Sequence, residues 1–354
     1  MLEPTMLTVL ARAAGPTRSG RAMGLVSMPI TLGPAIGPVL GGLLVDHLGW
    51  RWVFLINIPV GLVTVALSLR AVPAGDRGTA RPLDLLGLCL VGPGFAALVY
   101  ALSQAGAAGF TAPRVLVALA LGAVLLLGYA VHALRTRRPA LIDLHLFRYG
   151  RYTLSVAVLA LLGAVLFSTF FLVPQYYQHV RGADARTAGL LLAPFGLGAL
   201  VAMPLAGRLS DRIGPRALAP IGALAAALST GVFALAGGTG SEIVLAVAIA
   251  VLGAGLGMIG APTMGSVYRS VPAASAASAT STLYVLNQIG GALGIAVVTL
   301  TLGDAPGPDR YPPAFAVLAG LALAVAVATL ALPGRRLATA ATEPTGTPAD
   351  VPVG

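Results

Sequence analysis

The 354-residue chain contains no lysine, and all 22 of its basic residues are arginine. A Walker-type phosphate loop needs a lysine at the nucleotide phosphates, so ATP-driven work by this chain is excluded. There is one cysteine, Cys89, inside an apolar run, which excludes disulfides, zinc knuckles and cysteine-based metal sites. No metal cluster and no cofactor motif is present. Charge is scarce as well. Only 10% of the residues are charged, against about a quarter in soluble domains, so this composition cannot build a water-facing surface. Catalytic signatures are also missing: there is no Gly-x-Ser-x-Gly elbow, no His-Glu-x-x-His and no pair of acids within an apolar run. An enzyme is excluded on those grounds.

What remains is hydrophobic. Apolar residues make up 57% of the chain and its mean hydropathy is +0.90. The net charge of +10 comes from arginines scattered singly or in twos and threes between long apolar runs. That is the layout of a polytopic membrane protein, whose partner is the lipid bilayer and not nucleic acid.

A spanning helix needs about 20 apolar residues to cross the hydrocarbon. Runs free of Asp, Glu and Arg cover Ala22–Val45, Trp52–Leu69, Leu85–Pro113, Val115–Leu134, Tyr152–His179 and Thr187–Gly207, then Ala217–Ser241, Ile243–Tyr268, Ser270–Gly303 and Tyr311–Gly334. They are continuous and rich in Ala, Leu and Gly, which favours helices over alternating strands. The fold class is therefore all-α, a polytopic transmembrane helix bundle with ten full spans. The stretch Met1–Ala11 adds a partial one: it is too short to cross, and Arg12 and Arg18 follow it where a signal peptide would have them in front. It reads as the end of a helix whose beginning is missing. Alternating the loops from Arg12–Arg21 puts 17 arginines inside and 5 outside, the latter being Arg51, Arg114, Arg181, Arg186 and Arg310. This bias places the C-terminus and the loop Arg135–Arg151 in the cytoplasm. That loop mixes bases with apolar residues, and a short interfacial helix is expected in it.

The segment Gly24–Gly42 carries Gly33, Gly37 and Gly41 at four-residue spacing, on one helix face. Such a face admits a neighbouring helix to backbone contact, so on spacing alone it reads as a tight packing helix loosened by Pro29, Pro34 and Pro38. Leu at Gly37 or Gly41 is expected to force the helices apart. The full pattern of Gly24, Gly33, Gly37, Pro38, Gly41 and Gly42 resembles the antiporter motif of drug-exporting major facilitator proteins. "DHLGWRWVFLINIPVG", Asp46 to Gly61, and "LDLLGLCLVGPGFAALVYALS", Leu83 to Ser103, resemble the fourteen-helix drug:proton antiporter subfamily. "GRLSDRIGPR" resembles the superfamily's cytoplasmic signature between two helices of a bundle, with Gly207, Leu209, Asp211, Arg212, Gly214 and Arg216 fitting and Pro215 departing from it. In it Asp211 can pair with Arg208 or Arg212 as a latch. "NQIGGALGIAV", Asn287 to Val297, echoes the glycine helix, as an internally repeated transporter would.

The resemblance implies an organisation and an activity. Residues 1–71 would be a remnant of the first helix bundle, 72–134 two additional spans, 135–151 a cytoplasmic linker, 152–334 the second six-helix bundle and 335–354 a disordered tail. The first three helices and most of the fourth would be absent. The implied activity is secondary-active, proton-coupled export of a small amphipathic organic substrate by alternating access across the cell membrane. None of the twelve acids lies near the centre of a span, and in the family coupling acids commonly sit on the first-bundle helices. The chain alone is therefore expected not to perform proton-coupled export. A nonfunctional or partner-dependent fragment and an exporter of another small metabolite stay open as alternatives. Polar side chains within the spans mark a candidate cavity: Asn57, Gln104, Gln175, Tyr176, Tyr284, Asn287 and Gln288. Polar groups in lipid should face protein or water, so each serves a ligand or an interhelical hydrogen bond.

The arginine count yields a topological prediction. A cysteine introduced at Gly150 should react with a membrane-impermeant reagent only from the cytoplasmic side. Labelling from outside would overturn the orientation and the span count together.

Overall fold

The computed structural model describes residues 33, 37, 40–71, 84–136, 140–236, 240–271, 276–303 and 307–332. Twelve helices follow one another: α1 (40–48), α2 (Arg51–Leu55), α3 (Asn57–Ala71), α4 (Leu85–Ala108), α5 (Pro113–Arg135), α6 (Gly150–His179), α7 (Ala185–Leu191), α8 (Ala193–Ile213), α9 (Pro215–Ala236), α10 (Glu242–Ser270), α11 (Ala276–Leu302) and α12 (Tyr311–Leu330). There is no strand among the described residues. Nine helical stretches among them are long and apolar enough to cross a membrane, with α2 and α3 forming one and α7 and α8 another. They coincide with nine of the ten apolar runs. Of the run Ala22–Val45 little beyond its end is described, and the partial helix Met1–Ala11 and the tail 335–354 lie outside the described residues.

Local chemistry sets the helix ends. The Asp84 carboxylate accepts the Gly87 N–H at 2.8 Å and opens α4, and Asp184 accepts the Thr187 N–H at 2.9 Å and opens α7. Gly109 closes α4 at φ +77°, a conformation that glycine adopts without strain, and Pro113 begins α5. Gly214, at φ +86°, does the same between α8 and α9, and Pro215 begins the latter. One expectation needs correcting. The run Thr187–Gly207 is not one helix: it starts at Ala185 and breaks at Leu192, because Pro194 has no N–H to continue the ladder. The signature "GRLSDRIGPR" spans the junction of α8 and α9, with residues 207–213 in the last turns of α8 and Gly214 outside a helix. In the loop after α5, a 3-10 turn occupies Leu144–Arg148, its His145 N–H capped by the Asp143 carboxylate at 3.0 Å.

Helices α6 and α8 to α12 share one core, and they meet through glycine. On the α6–α11 crossing, a side chain on Gly290 would strike the Ala160 carbonyl, and one on Gly294 would sit 2.8 Å from the Ala164 methyl. Asn287 Nδ2 donates to the Leu159 carbonyl at 2.6 Å in the same crossing. Gly198 of α8 abuts the backbone of Ala250, Gly253 of α10 abuts that of Phe195, and Gly222 and Gly255 face each other between α9 and α10. At one end of the bundle Tyr176 stands edge-on to Tyr177, Phe233, Tyr311 and Phe315 at 5.4–5.9 Å, while Phe233 stacks on Phe315 at 4.8 Å. These rings tie α6, α9 and α12 together. The hairpin of α4 and α5 leans on α11, with Val91, Tyr129, Ala133 and Ile142 packed against Val285 and Leu286. No side chain of the span Arg51–Arg70 is buried.

Gly290→Leu should therefore cost about 1–3 kcal/mol or more through overpacking and lower the thermal midpoint in detergent. Gly320 on α12 has nothing within 4 Å of an added Cβ among the described residues, so Gly320→Leu should leave the midpoint unchanged.

Candidate functional site

An open groove of about 450 Å³ runs between α8 and α10. Leu197, Val201 and Leu205 form one wall, Val247, Val251 and Met258 the other, and Gly198, Ala250 and Ala254 the floor. No lining side chain carries a charge, a hydroxyl or an amide. Close backbone approach at Gly198 and Gly253 holds the two axes together beneath the groove, while the four-residue stripe on α8 stays open, Leu197 at 59% exposed and Val201 at 62%. Such a surface can hold the apolar body of an organic molecule, and the flexible Met258 thioether adapts to its shape.

The groove wall leads directly from α7, which is where α1 arrives. A Cβ on Gly42 would lie 2.9 Å from the Arg186 Cα, so the α1 backbone rests on the first turn of α7. Beside this contact, hydrogen bonds from the hydroxyl and N–H of Thr187 hold the Asp184 carboxyl below the usual carboxylate range.

The residues singled out from the sequence fall in separate places. In the glycine motif, Gly33 and Gly37 are helical, and an added Cβ at Gly33, Gly37 or Gly41 meets nothing within 4 Å among the described residues. Gly42 alone makes a close approach there, while Gly24 and Pro38 lie outside the described residues. In the cytoplasmic signature, Gly207 and Leu209 are on the last turns of α8 and Leu209 reaches the end of the groove. Gly214 makes the turn, Arg216 is exposed at the start of α9, and the side chains of Asp211 and Arg212 are outside the described set.

The polar positions are spread similarly. Asn57 is exposed on α3 and donates to the Val53 and Phe54 carbonyls of its own helical segment at 3.1 and 3.3 Å. Gln104 is half-buried on α4. Tyr176 is fully buried in the aromatic cluster, next to Gln175, whose carbonyl accepts the Tyr311 hydroxyl at 3.3 Å. Tyr284, Asn287 and Gln288 lie together on α11, where Asn287 bonds α6 and Gln288 is exposed. None of the seven lines the groove. Sequence reasoning that looked for polar side chains passed over the groove residues. Their signal was the repeat of Leu197, Val201, Leu205 and Leu209 beside Gly198.

Residues 1–295 match the profile of the Major Facilitator Superfamily. The chain belongs to this superfamily. It is an integral membrane protein. Among curated relatives of this major facilitator chain, "Multidrug resistance protein B homolog" of Mycobacterium tuberculosis (strain ATCC 25618 / H37Rv) is 35% identical over 306 residues, covering 85% of this chain and 56% of the relative. "Lincomycin resistance protein LmrB" of Listeria monocytogenes serovar 1/2a is 30% identical over 297 residues, covering 84% of this chain and 63% of the relative. The chain thus spans between half and two thirds of the length of these relatives. In fold it is similar to a crystal structure of the peptide transporter POT in complex with sulfate, with a TM-score of 0.62 at 18% identity over 94% of this chain and 71% of that one.

The Gly42 contact separates two neighbouring glycines. Gly42→Leu should displace α1 and reduce the monodisperse fraction in size-exclusion chromatography, whereas Gly41→Leu, with open space around it among the described residues, should not, contrary to the expectation from glycine spacing.

Proposed function

We propose that this chain serves secondary-active export of amphipathic drugs or antibiotics across the cell membrane, coupled to protons and working by alternating access. The observation that carries this reading is the aliphatic groove between α8 and α10. A surface without directional groups suits substrates that share hydrophobic bulk and little else, and such tolerance fits relatives that bear the names of multidrug and lincomycin resistance. In the same reading, residues 1–71 belong to a first bundle, 72–134 are accessory spans, 135–151 form a cytoplasmic linker, 152–334 are the second bundle and 335–354 a tail. The shared core of α6 and α8 to α12 supports the second-bundle assignment. Rocking of one bundle against another would open and close the groove, with the cytoplasmic signature from Gly207 to Arg216 as a latch on its α8 side. Proton coupling requires a group whose protonation differs between the two states. Within the nine described spans the acids are only the end residues Glu242 and Asp309. In this reading the coupling group lies on sequence that the longer relatives carry outside the matched region, or, if the chain alone exports, is a helix-end acid such as Asp46 or Asp211.

The test is efflux of a lipophilic fluorescent dye from liposomes under an imposed pH gradient. Gradient-dependent efflux would support the proposal and overturn the expectation that the chain alone is inactive, and Val201→Trp, which fills the groove, should weaken apparent dye affinity about tenfold, equivalent to roughly 1.4 kcal/mol. Dye efflux from a folded Val201→Trp variant at the unmodified affinity would overturn the groove as the binding surface.

A further inference from the structure

The Asp84 carboxylate is the meeting point of three segments. Its Oδ1 accepts the Gly87 N–H of α4 at 2.8 Å and lies 2.9 Å from His132 Nε2 of α5, and its Oδ2 accepts the Leu141 N–H of the linker at 3.1 Å. Gly87 is the residue that admits this carboxylate, since a Cβ there would sit 2.6 Å from the Asp84 Cγ. One turn earlier on α5, the Tyr129 hydroxyl accepts the Ile142 N–H at 2.6 Å and donates to the Ile142 carbonyl at 2.9 Å. Two consecutive linker residues are therefore bound through their backbones, one by Asp84 and one by Tyr129. The junction is nearly closed to solvent: the Asp84 side chain is 9% exposed, Tyr129 5% and Ile142 4%. Val285 and Leu286 of α11 pack against the same cluster.

We infer that Asp84 is a positioning residue, a clamp that makes the accessory hairpin α4–α5 move as one rigid body with the second bundle. A linker free between α5 and the 3-10 turn at Leu144 would let the hairpin drift with either bundle. Tied at Leu141 and Ile142, it has no slack where it enters α6. The span Arg51–Arg70 precedes the hairpin and buries no side chain. The relative motion of alternating access is thus directed away from the α5–α6 junction. The clamp rests on the transport reading for its purpose, but its rigidity is measurable without substrate.

The titratable groups around Asp84 are few. His132 and Tyr129 face it from α5, Asp143 lies farther along the linker, and α11 contributes only Val285 and Leu286. Burial works to raise the Asp84 pKa, but the Gly87, His132 and Leu141 contacts together hold it below its ordinary value. A depressed carboxylate pKa means that the clamp is fully present above the unfolded-state value of about 3.9 and is lost only as pH falls through the lower, folded-state value.

The experiment uses the full chain in lipid nanodiscs, spin-labelled at the native Cys89 on α4 and at Leu228→Cys on α9, whose side chain is 73% exposed. The unmodified clamp should give one narrow distance distribution, the same at pH 5 and pH 8. Asp84→Ala should broaden it, and Asp84→Asn, whose carbonyl still accepts from Leu141, should recover part of the narrowing. Tyr129→Phe keeps the ring packing and removes both bonds to Ile142, so it should broaden the distribution even where Asp84→Ala fails to fold. In the dye assay these variants should lower turnover and leave KM unchanged, because no groove residue is touched. Distributions of unmodified width in Tyr129→Phe and in any folded Asp84→Ala would overturn the clamp and leave α11 packing as sufficient. Loss of dye transport with unmodified widths would count against the transport reading's use of the hairpin, and not for the clamp.

Discussion

Backbone-to-backbone contact between helices is the constraint on which this structure depends. In lipid the hydrophobic effect gives helices no reason to associate, so attraction comes from dispersion and the occasional interhelical hydrogen bond, both of which need short distances. Gly198, Gly222, Gly253, Gly255, Gly290 and Gly294 supply them by letting main-chain atoms of a partner helix sit where a Cβ would be. The aromatic cluster around Tyr176 complements this at one end, where five large rings fill the space between α6, α9 and α12. The groove follows from the same geometry. Two helices that touch at Gly198 and Gly253 must diverge on the outer side, and the large residues Leu197, Val201 and Val247 then stand apart as walls.

Polar groups follow a different rule. Almost every described one inside the core of α6 and α8 to α12 is satisfied by protein. Asn287 bonds the Leu159 carbonyl, the Ser155 hydroxyl bonds Ser266 at 3.1 Å, and Thr169, Thr230 and Thr263 bond carbonyls one turn back on their own helices. Ser168 and Tyr177 are exceptions, each with a buried hydroxyl that has no partner among the described residues. The bundle therefore offers a ligand chiefly shape and apolar area. Such a surface binds many molecules moderately and none with the geometric selectivity of a hydrogen-bonded pocket.

Much of the fold was legible because membrane spans are written in composition. Absent lysine, scarce acids and uninterrupted apolar runs leave helices as the available answer, and nine of the runs coincide with described helices. The glycine echo at Asn287–Val297 likewise marked a real crossing, since Gly290 and Gly294 both meet α6 there. Less legible was which side chains line open space. Tyr176 and Asn287 have the chemistry of a binding site, yet one is sealed among rings and the other spans a crossing. Sequence gives a residue's type but not the direction it faces in a bundle whose helices are apolar all round. The break at Leu192 was hidden for a related reason: Pro194 sits in a run whose hydropathy does not change across it.

The span Arg51–Arg70 shows why a polar residue in a membrane helix need not announce a partner. Asn57 donates to the Val53 and Phe54 carbonyls, and the Thr64 hydroxyl donates to the Val60 carbonyl at 2.7 Å. Both side chains meet their hydrogen-bonding needs within their own helical segment, which removes most of the penalty for facing hydrocarbon. The Asp84 carboxylate has no such option. An ionised group at a helix start cannot be satisfied by one N–H, so it gathers donors from α4, α5 and the linker at once. Neutral polar groups in this protein can remain local, whereas a partly buried charge draws separate segments together. The Asn287 amide ties two helices, α11 and α6, whereas the Asp84 carboxylate at the edge of the membrane ties three segments at once.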